Sequence, residues 1–252
     1  MNKKVAITQM QTLSIMFIVF LVLFFIIAIP FYNSIKQKQA VVAYRRIYSM
    51  LQQANRMYSL VNGRNMNEYD TTLPINKFAE TYFTPYLSID LYCKQENPED
   101  CWNSTQYKDL KNNKYNNVSL YSILLEDKTV IGFHKNSKGL ITLIIDVDGK
   151  GGKNKLGKDI FVFYVYSSKF VQKLCSPEKY DNILIKDGLH LGGYDECGIP
   201  QDTYDYNTLL SDELYEACNK KAKSDTFGVG VGAACGALIS KSNWVIDKNY
   251  PW

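Results

Sequence analysis

The sequence predicts an α+β protein: a long N-terminal membrane-spanning α-helix packed on an antiparallel β-sheet, followed by a disulfide-stapled C-terminal region. Three observations carry this expectation. Residues 12–29 read TLSIMFIVFLVLFFIIAI without one charge, and at about 1.5 Å per residue that run spans most of the hydrocarbon core of a bilayer. Four later segments are short, rich in β-branched and aromatic residues, and bounded by turn residues, which is the pattern of strands in a meander. All six cysteines, Cys93, Cys101, Cys175, Cys197, Cys218 and Cys235, follow the apolar run.

Lys3 and Lys4 precede the run as the n-region of a secretory signal would. No small-x-small cleavage pattern follows, the stretch at Ala28 reading AIPFYNS, so the run is expected to persist as an anchor or to be specially processed. Beyond Pro30 the pattern changes. Ala40, Tyr44, Ile47, Tyr48, Leu51, Ala54 and Tyr58 recur at helical spacing while Lys36, Lys38, Arg45, Gln52, Gln53 and Arg56 occupy the other faces. Pro30 would kink the helix without breaking it, and Asn62-Gly63 supplies the stop. The first half is apolar all round and needs lipid or other apolar helices; the second carries one apolar stripe and needs a sheet against it.

The expected organisation is a cytoplasmic segment at 1–11, a transmembrane half-helix at 12–30, an amphipathic half-helix at 31–61 and a soluble extracytoplasmic domain at 62–252. Charge counting leaves the orientation open, since two lysines precede the span and Lys36, Lys38, Arg45 and Arg46 follow it. The cysteines place the domain outside the cytoplasm. Their gaps of 7, 73, 21, 20 and 16 residues lack the tight pairs of zinc clusters, and an even number in an exported domain favours disulfides. Of the fifteen pairings that six cysteines allow, the sequential one (93–101, 175–197, 218–235) is the simplest.

Within the domain, residues 75–86 and 106–111 read as short helical or extended pieces in a polar, irregular stretch. Strands are expected at 118–125, 129–134, 140–146 and 160–166, a helix at 209–221, and otherwise cysteine-linked loop from about 170 to 240. A net charge of +4 without basic blocks gives no reason to expect nucleic acid. The basic pairs after the span fit a solvated helix face or lipid headgroups.

The strongest local motif is DVDGKGGKNKLGKD, residues 146–159, between two strands. Asp146, Asp148, Asn154 and Asp159 could supply side-chain oxygens to calcium on a loop that glycine lets curl, with backbone carbonyls and water completing the shell. The third acidic position and terminal glutamate of an EF-hand are missing. The competing reading is a hairpin loop whose Asp and Asn side chains bond their own backbone, and Lys150, Lys153, Lys155 and Lys158 weigh toward it. His134 and His190 stand in no triad or metal spacing and are read as packed or surface residues. No P-loop, dinucleotide fingerprint, HExxH or GxSxG occurs. GVGVGAACG, residues 228–236, lacks the Lys-Ser/Thr of a phosphate loop and fits packing around Cys235. Asn103-Ser-Thr105 and Asn117-Val-Ser119 match the glycosylation sequon, which matters only in a eukaryotic secretory pathway. Neither an enzyme nor a small-molecule substrate is expected.

Taken together, these parts resemble type IV pilins and the pseudopilins of type II secretion systems. QKQAVVAYRRIYSMLQQANRMY (residues 37–58) looks like their helix beyond the proline. DVDGKGGKNKLGKDIFVF (146–163) is similar to their D-V-N-G-x-x-G-P-N-x-x-G-x-D-x-F segment. Cys235-Gly-Ala-Leu-Ile with Trp244-Val-Ile and Asn249-Tyr250-Pro251-Trp252 resembles their C-[small]-x-L-I…W-x-I…YPW ending. The resemblance implies a structural, non-catalytic subunit of a type IV pilus or secretion pseudopilus. Such a subunit is a single-pass protein of the bacterial inner membrane with its domain in the periplasm or outside the cell, and its partners are other pilin or pseudopilin subunits joined through the N-terminal helix. The departures lie at the start and at Lys153, where the family's Gly-Pro-Asn is Gly152-Lys153-Asn154. Where the family has glycine before its processing junction and glutamate soon after, this chain has Ala6-Ile7-Thr8-Gln9-Met10-Gln11. With the junction at Ala6/Ile7, Gln11 takes the glutamate's place and cannot neutralise a neighbouring N-terminal amine. Residues 6–11 therefore imply a minor or atypical member, the alternative being a membrane-tethered extracytoplasmic binding protein or adhesin that does not polymerise.

Overall fold

The structure, a computed structural model, describes residues 3–63, 69–93, 97–102, 106–116, 121–149, 151–152, 154–168, 185–224 and 228–252, with only the backbone at 3–12, 98 and 116. Helix α1 is Lys3–Asn62 and carries Pro30 within it. It ends where Asn62-Gly63 signals a stop, Gly63 adopting a φ of 59°. The chain divides into two compact units, residues 1–39 and residues 40–252.

In the first unit every large apolar side chain from Leu13 to Ile29 is exposed, and α1 is long and apolar enough to cross a membrane. In the second unit α1 behaves differently. Tyr44, Ile47, Leu51 and Ala54 are buried while Arg45, Arg46 and Arg56 are exposed, the one-sided burial that the spacing predicts.

The second unit is built on a six-stranded sheet in the order β1-β4-β5-β6-β7-β8. Its strands are β1 (Ile89–Cys93), β4 (Tyr121–Leu125), β5 (Val130–Lys135), β6 (Ile141–Asp146), β7 (Ile160–Tyr166) and β8 (Gly188–Leu191), all paired antiparallel. The meander β4 to β7 is the one the sequence predicts. One face, with Ile131, Phe133, Leu143, Ile145, Phe161 and Phe163, packs on the α1 residues above and on α2 (Ile75–Tyr82) through Phe78 and Ala79. Tyr44 stacks on Phe161 at 4.3 Å between ring centroids and lies 5.1 Å from Phe163. The other face, with Val130, Ile144, Ile160 and Val162, is covered by Trp102, Tyr107, Leu156, Val229 and Ala233. Coverage on both faces explains why β7 reads IFVFYVY without alternation.

Several elements escape the sequence pattern. Residues 106–111 form strand β2 (Gln106–Lys108), paired with β3 (Lys114–Asn116) in a separate hairpin. Strands β1, β3 and β8 have weak strand signals, and β1 is exposed at three of its five residues. The helix expected at 209–221 is replaced by α3 (Tyr206–Leu209) and then turns. Asp205 caps α3 from its side chain, and Glu216 takes a φ of 55°, which a continuing right-handed helix does not permit. The helix instead forms later as α4 (Cys235–Lys241), directly after the glycine-rich run.

Cys93–Cys101 and Cys218–Cys235 are disulfides, as sequential pairing predicts. Cys197 is also disulfide-bonded, and Cys175 lies outside the described residues, as do both sequons. Arg45 and Arg46 are engaged within the domain: Arg46 pairs with Asp127 at 2.6 Å, and the Arg45 guanidinium lies 5.6 Å from the Trp244 ring.

A Cβ at Gly236 of α4 would overlap the Tyr44 hydroxyl. Tyr44 is wedged between aromatic neighbours and has no room to yield, so Gly236→Ala is expected to destabilise the domain by about 1–3 kcal/mol. Urea unfolding followed by near-UV circular dichroism measures this.

Candidate cation site in the loop between β6 and β7

The loop begins on the last residue of β6, Asp146, and ends at Asp159, just before β7. Asp146 is fully buried, and its Oδ1 accepts the backbone N–H groups of Asp148 and Gly149 at 3.3 and 3.0 Å. Asp159 closes the loop from the other side. Its Oδ2 accepts from Asn154 N at 3.1 Å, and its Oδ1 accepts from Lys155 N at 2.5 Å. Both aspartates thus make the self-capping turns of the bland reading.

That reading leaves atoms unused. While the Asp146 carboxyl shares a hydrogen bond with the Asp148 side chain, both side-chain polar atoms of Asn154 are buried without a hydrogen-bond partner, although Asn154 is only 3% exposed. Such groups cost free energy unless something satisfies them. Gly152, at a φ of 50°, marks the point where the carboxylates converge. A Cβ there would meet Asp159 Oδ2 and stand 2.6 and 2.7 Å from the two Asp148 carboxylate oxygens, so only glycine lets the backbone pass between them. Asp148 and Asp159 also raise the Asp146 carboxyl by their charge.

Burial first, then the Asp148 and Asp159 charges and a hydrogen bond with the Asp148 side chain, push the Asp146 carboxyl up to about 9. Its folded value lies above its unfolded value, so without a cation its stabilising contribution is complete below about pH 4 and fades as pH rises toward about 9. A cation placed among these oxygens would reverse the repulsion. Among the described residues, no group of three or more His, Cys, Asp or Glu side chains is arranged to hold a metal ion. Any shell here needs the Asn154 amide, backbone carbonyls and water beside the aspartates, which suits calcium and not zinc. Lys155 is drawn to Asn112 Oδ1 at 2.7 Å, and Lys158 lies 5.6 Å from the Trp252 ring. Lys150 and Lys153 lie outside the described residues.

The loop is also tied to the rest of the domain. Lys108 N donates to Asn154 O at 2.7 Å, Leu156 N donates to Lys108 O at 2.8 Å, and the Tyr250 hydroxyl donates to the Gly157 carbonyl at 2.6 Å. A Cβ at Gly157 would stand 2.7 Å from Cys235 Sγ. The YPW ending and the Cys218–Cys235 disulfide therefore meet on this loop.

The other candidates are placed as follows. Ala6, Ile7 and Gln11 lie within α1, described there by backbone alone. His134 is packed, and burial lowers its pKa. His190 has an acidic partner that the spacing did not reveal, Asp202 at 2.9 Å. Sequence reasoning also missed Glu216, which is 1% exposed and accepts the Gly230 N–H at 2.7 Å, holding the glycine-rich run in place. Neither pairing has a spacing signature, because each spans a turn. Among known proteins, no family model, curated protein or solved structure matches the chain.

Proposed function

We propose that the protein is a structural, pilin-like subunit, minor or atypical in its class, anchored in a bacterial inner membrane by the apolar part of α1 and carrying an extracytoplasmic domain. The observation that carries this reading is the exposed run from Leu13 to Ile29. An all-round apolar helix has no stable place in water and demands lipid or equivalent helices. The amphipathic continuation of α1 under a β-meander, the disulfides and the YPW ending locked onto the β6–β7 loop support it further. The missing glycine and glutamate at residues 6–11 set it apart from a major pilin and favour, as the second reading, a tethered binding protein that never polymerises.

Deleting residues 12–29 is expected to release the protein from membranes and to end its copurification with other pilin-class subunits. Unchanged membrane association would refute the reading. The mass of the mature N-terminus separates the two versions: a processed, methylated start at Ile7 or Gln9 goes with assembly, an intact start at Met1 or Asn2 with the tether. For the β6–β7 loop we propose a structural, non-catalytic calcium ion, resting on the unpartnered Asn154 side chain and on the carboxylates that converge at Gly152.

A further inference from the structure

His190 lies on β8, at the edge of the sheet, and both of its ring nitrogens face acceptors. Nδ1 is 2.9 Å from Asp202 Oδ1, and Nε2 is 2.9 Å from the carbonyl oxygen of Lys186. A neutral imidazole has one N–H and one lone pair, so it can serve only one of these and turns the lone pair on the other. The imidazolium donates to both. The surroundings therefore select the charged form by geometry.

Asp202 sits in a 3₁₀ turn, Gln201–Thr203, which covers the free edge of β8. Its second oxygen accepts the Leu191 N–H at 2.9 Å. Beside it, Gln201 Oε1 accepts the Gly193 N–H at 2.7 Å, and Gln201 N donates to the Gly193 carbonyl at 3.1 Å. Without the turn these backbone groups would be open to any passing strand.

We propose that His190 and Asp202 form a proton-operated clasp, which holds the turn Gln201–Thr203 over the edge of β8 while His190 is protonated and frees that edge when the proton leaves. Among the described residues, the charged and titratable groups around the clasp are Asp202 on the turn, Asp187 on the approach to β8, and Tyr166 of β7, whose ring lies edge-on to the imidazole at 5.7 Å. Tyr44 and Tyr48 of α1 lie close enough to feel the Asp202 charge, which helps to raise both. Burial opposes the charge on His190. The Asp202 bond and charge, with the Lys186 carbonyl and Asp187, outweigh burial and raise the histidine above its ordinary value. With the folded value above the unfolded one, the clasp stabilises fully below about pH 6.5 and is lost as pH rises through the folded value. Once the proton is gone, the part-buried Asp202 carboxylate loses the cation that faced it, beside Tyr44 and Tyr48 of α1.

The test is nuclear magnetic resonance on the full chain in detergent micelles, following the His190 Cε1–H signal and amide exchange relative to intrinsic rates. His190 is expected to titrate above 6.5, with His134 below it as an internal reference. As pH passes the His190 midpoint, protection of the Leu191 and Gly193 amides should fall about tenfold, the loss of a charge-assisted hydrogen bond, while Ile131 and Leu143 in the sheet centre hold theirs. Asp202→Asn should lower the His190 midpoint, and His190→Gln should leave Leu191 protection independent of pH. A His190 midpoint at or below 6.5, or the same pH-dependent loss in His190→Gln, overturns the clasp.

Discussion

Truncation of Tyr44 to alanine is expected to lower the unfolding free energy of the domain by about 3–5 kcal/mol, the range for a large aromatic removed from a packed interior. Tyr44 is fully buried where three elements meet. Its ring stacks on Phe161, approaches Phe163 and Trp244, and its hydroxyl closes on Gly236 of α4. No neighbour can collapse into the space, because the sheet and α4 are held by the ladder and by the Cys218–Cys235 disulfide. Tyr44→Phe separates ring from hydroxyl. The hydroxyl makes no well-formed hydrogen bond; burial first, then the charges around it, raise its pKa well above the ordinary tyrosine value, with the Gly192 backbone N–H opposing the rise. The phenylalanine variant is therefore expected to keep most of the stability. A loss of less than about 1 kcal/mol for Tyr44→Ala in urea unfolding would show that α1 does not organise the core in this way.

The second large effect concerns calcium. At a free concentration about 100 times its dissociation constant, calcium should add about 2.7 kcal/mol to stability. For a domain of this size that is an upward shift of the melting temperature by roughly 5–10 °C. Magnesium, which demands a tighter octahedral shell, should give less. Asp146→Asn discriminates between a cation site and a self-capped loop. An amide oxygen can still accept from Asp148 N and Gly149 N while the buried, repelled carboxylate is gone. The variant is therefore expected to be no less stable than the parent in chelator and to lose the calcium shift. An undiminished shift in Asp146→Asn, or none in the parent, would remove the ion from the loop and leave only a capped turn. Scanning calorimetry of the full chain in detergent, with calcium or chelator, reads both outcomes.

The parts legible in the sequence are those set by local periodicity. The apolar run of residues 12–29 and the stripe from Ala40 to Tyr58 each follow from one element facing one environment. β6 and β7 were legible for a related reason, as short apolar runs bounded by turn residues. Two disulfides, Cys93–Cys101 and Cys218–Cys235, could be guessed because their loops are short. The loop at 146–159 was legible as a cluster of oxygen ligands among glycines. Its orphaned Asn154 amide was not, because whether an Asp or Asn side chain finds a partner depends on the turn conformation, and here Asp146 and Asp159 take the backbone donors while the Asn154 side chain takes none.

What stayed hidden is set by distant partners. β1, β3 and β8 are strands because neighbours extend them, not because their residues insist on it. Residues 209–221 read as a helix, yet Glu216 is pulled to a positive φ where it can hold Gly230, and the disulfide ties Cys218 to α4. His190 looked inert until Asp202 and the Lys186 carbonyl closed on it from two sides.

The class of chain, one apolar helix joined to a cysteine-bearing α+β domain, is written in the order and polarity of the residues, since hydrophobic burial depends on pattern and not on who the neighbours are. The chemistry at particular points belongs to the folded state. Only there do Asp148 and Asp159 crowd Gly152, Tyr250 reach Gly157 and Asp202 meet His190. Charge and hydrogen bonding act over a few ångströms, and those distances exist only after residues far apart in the chain have been brought together.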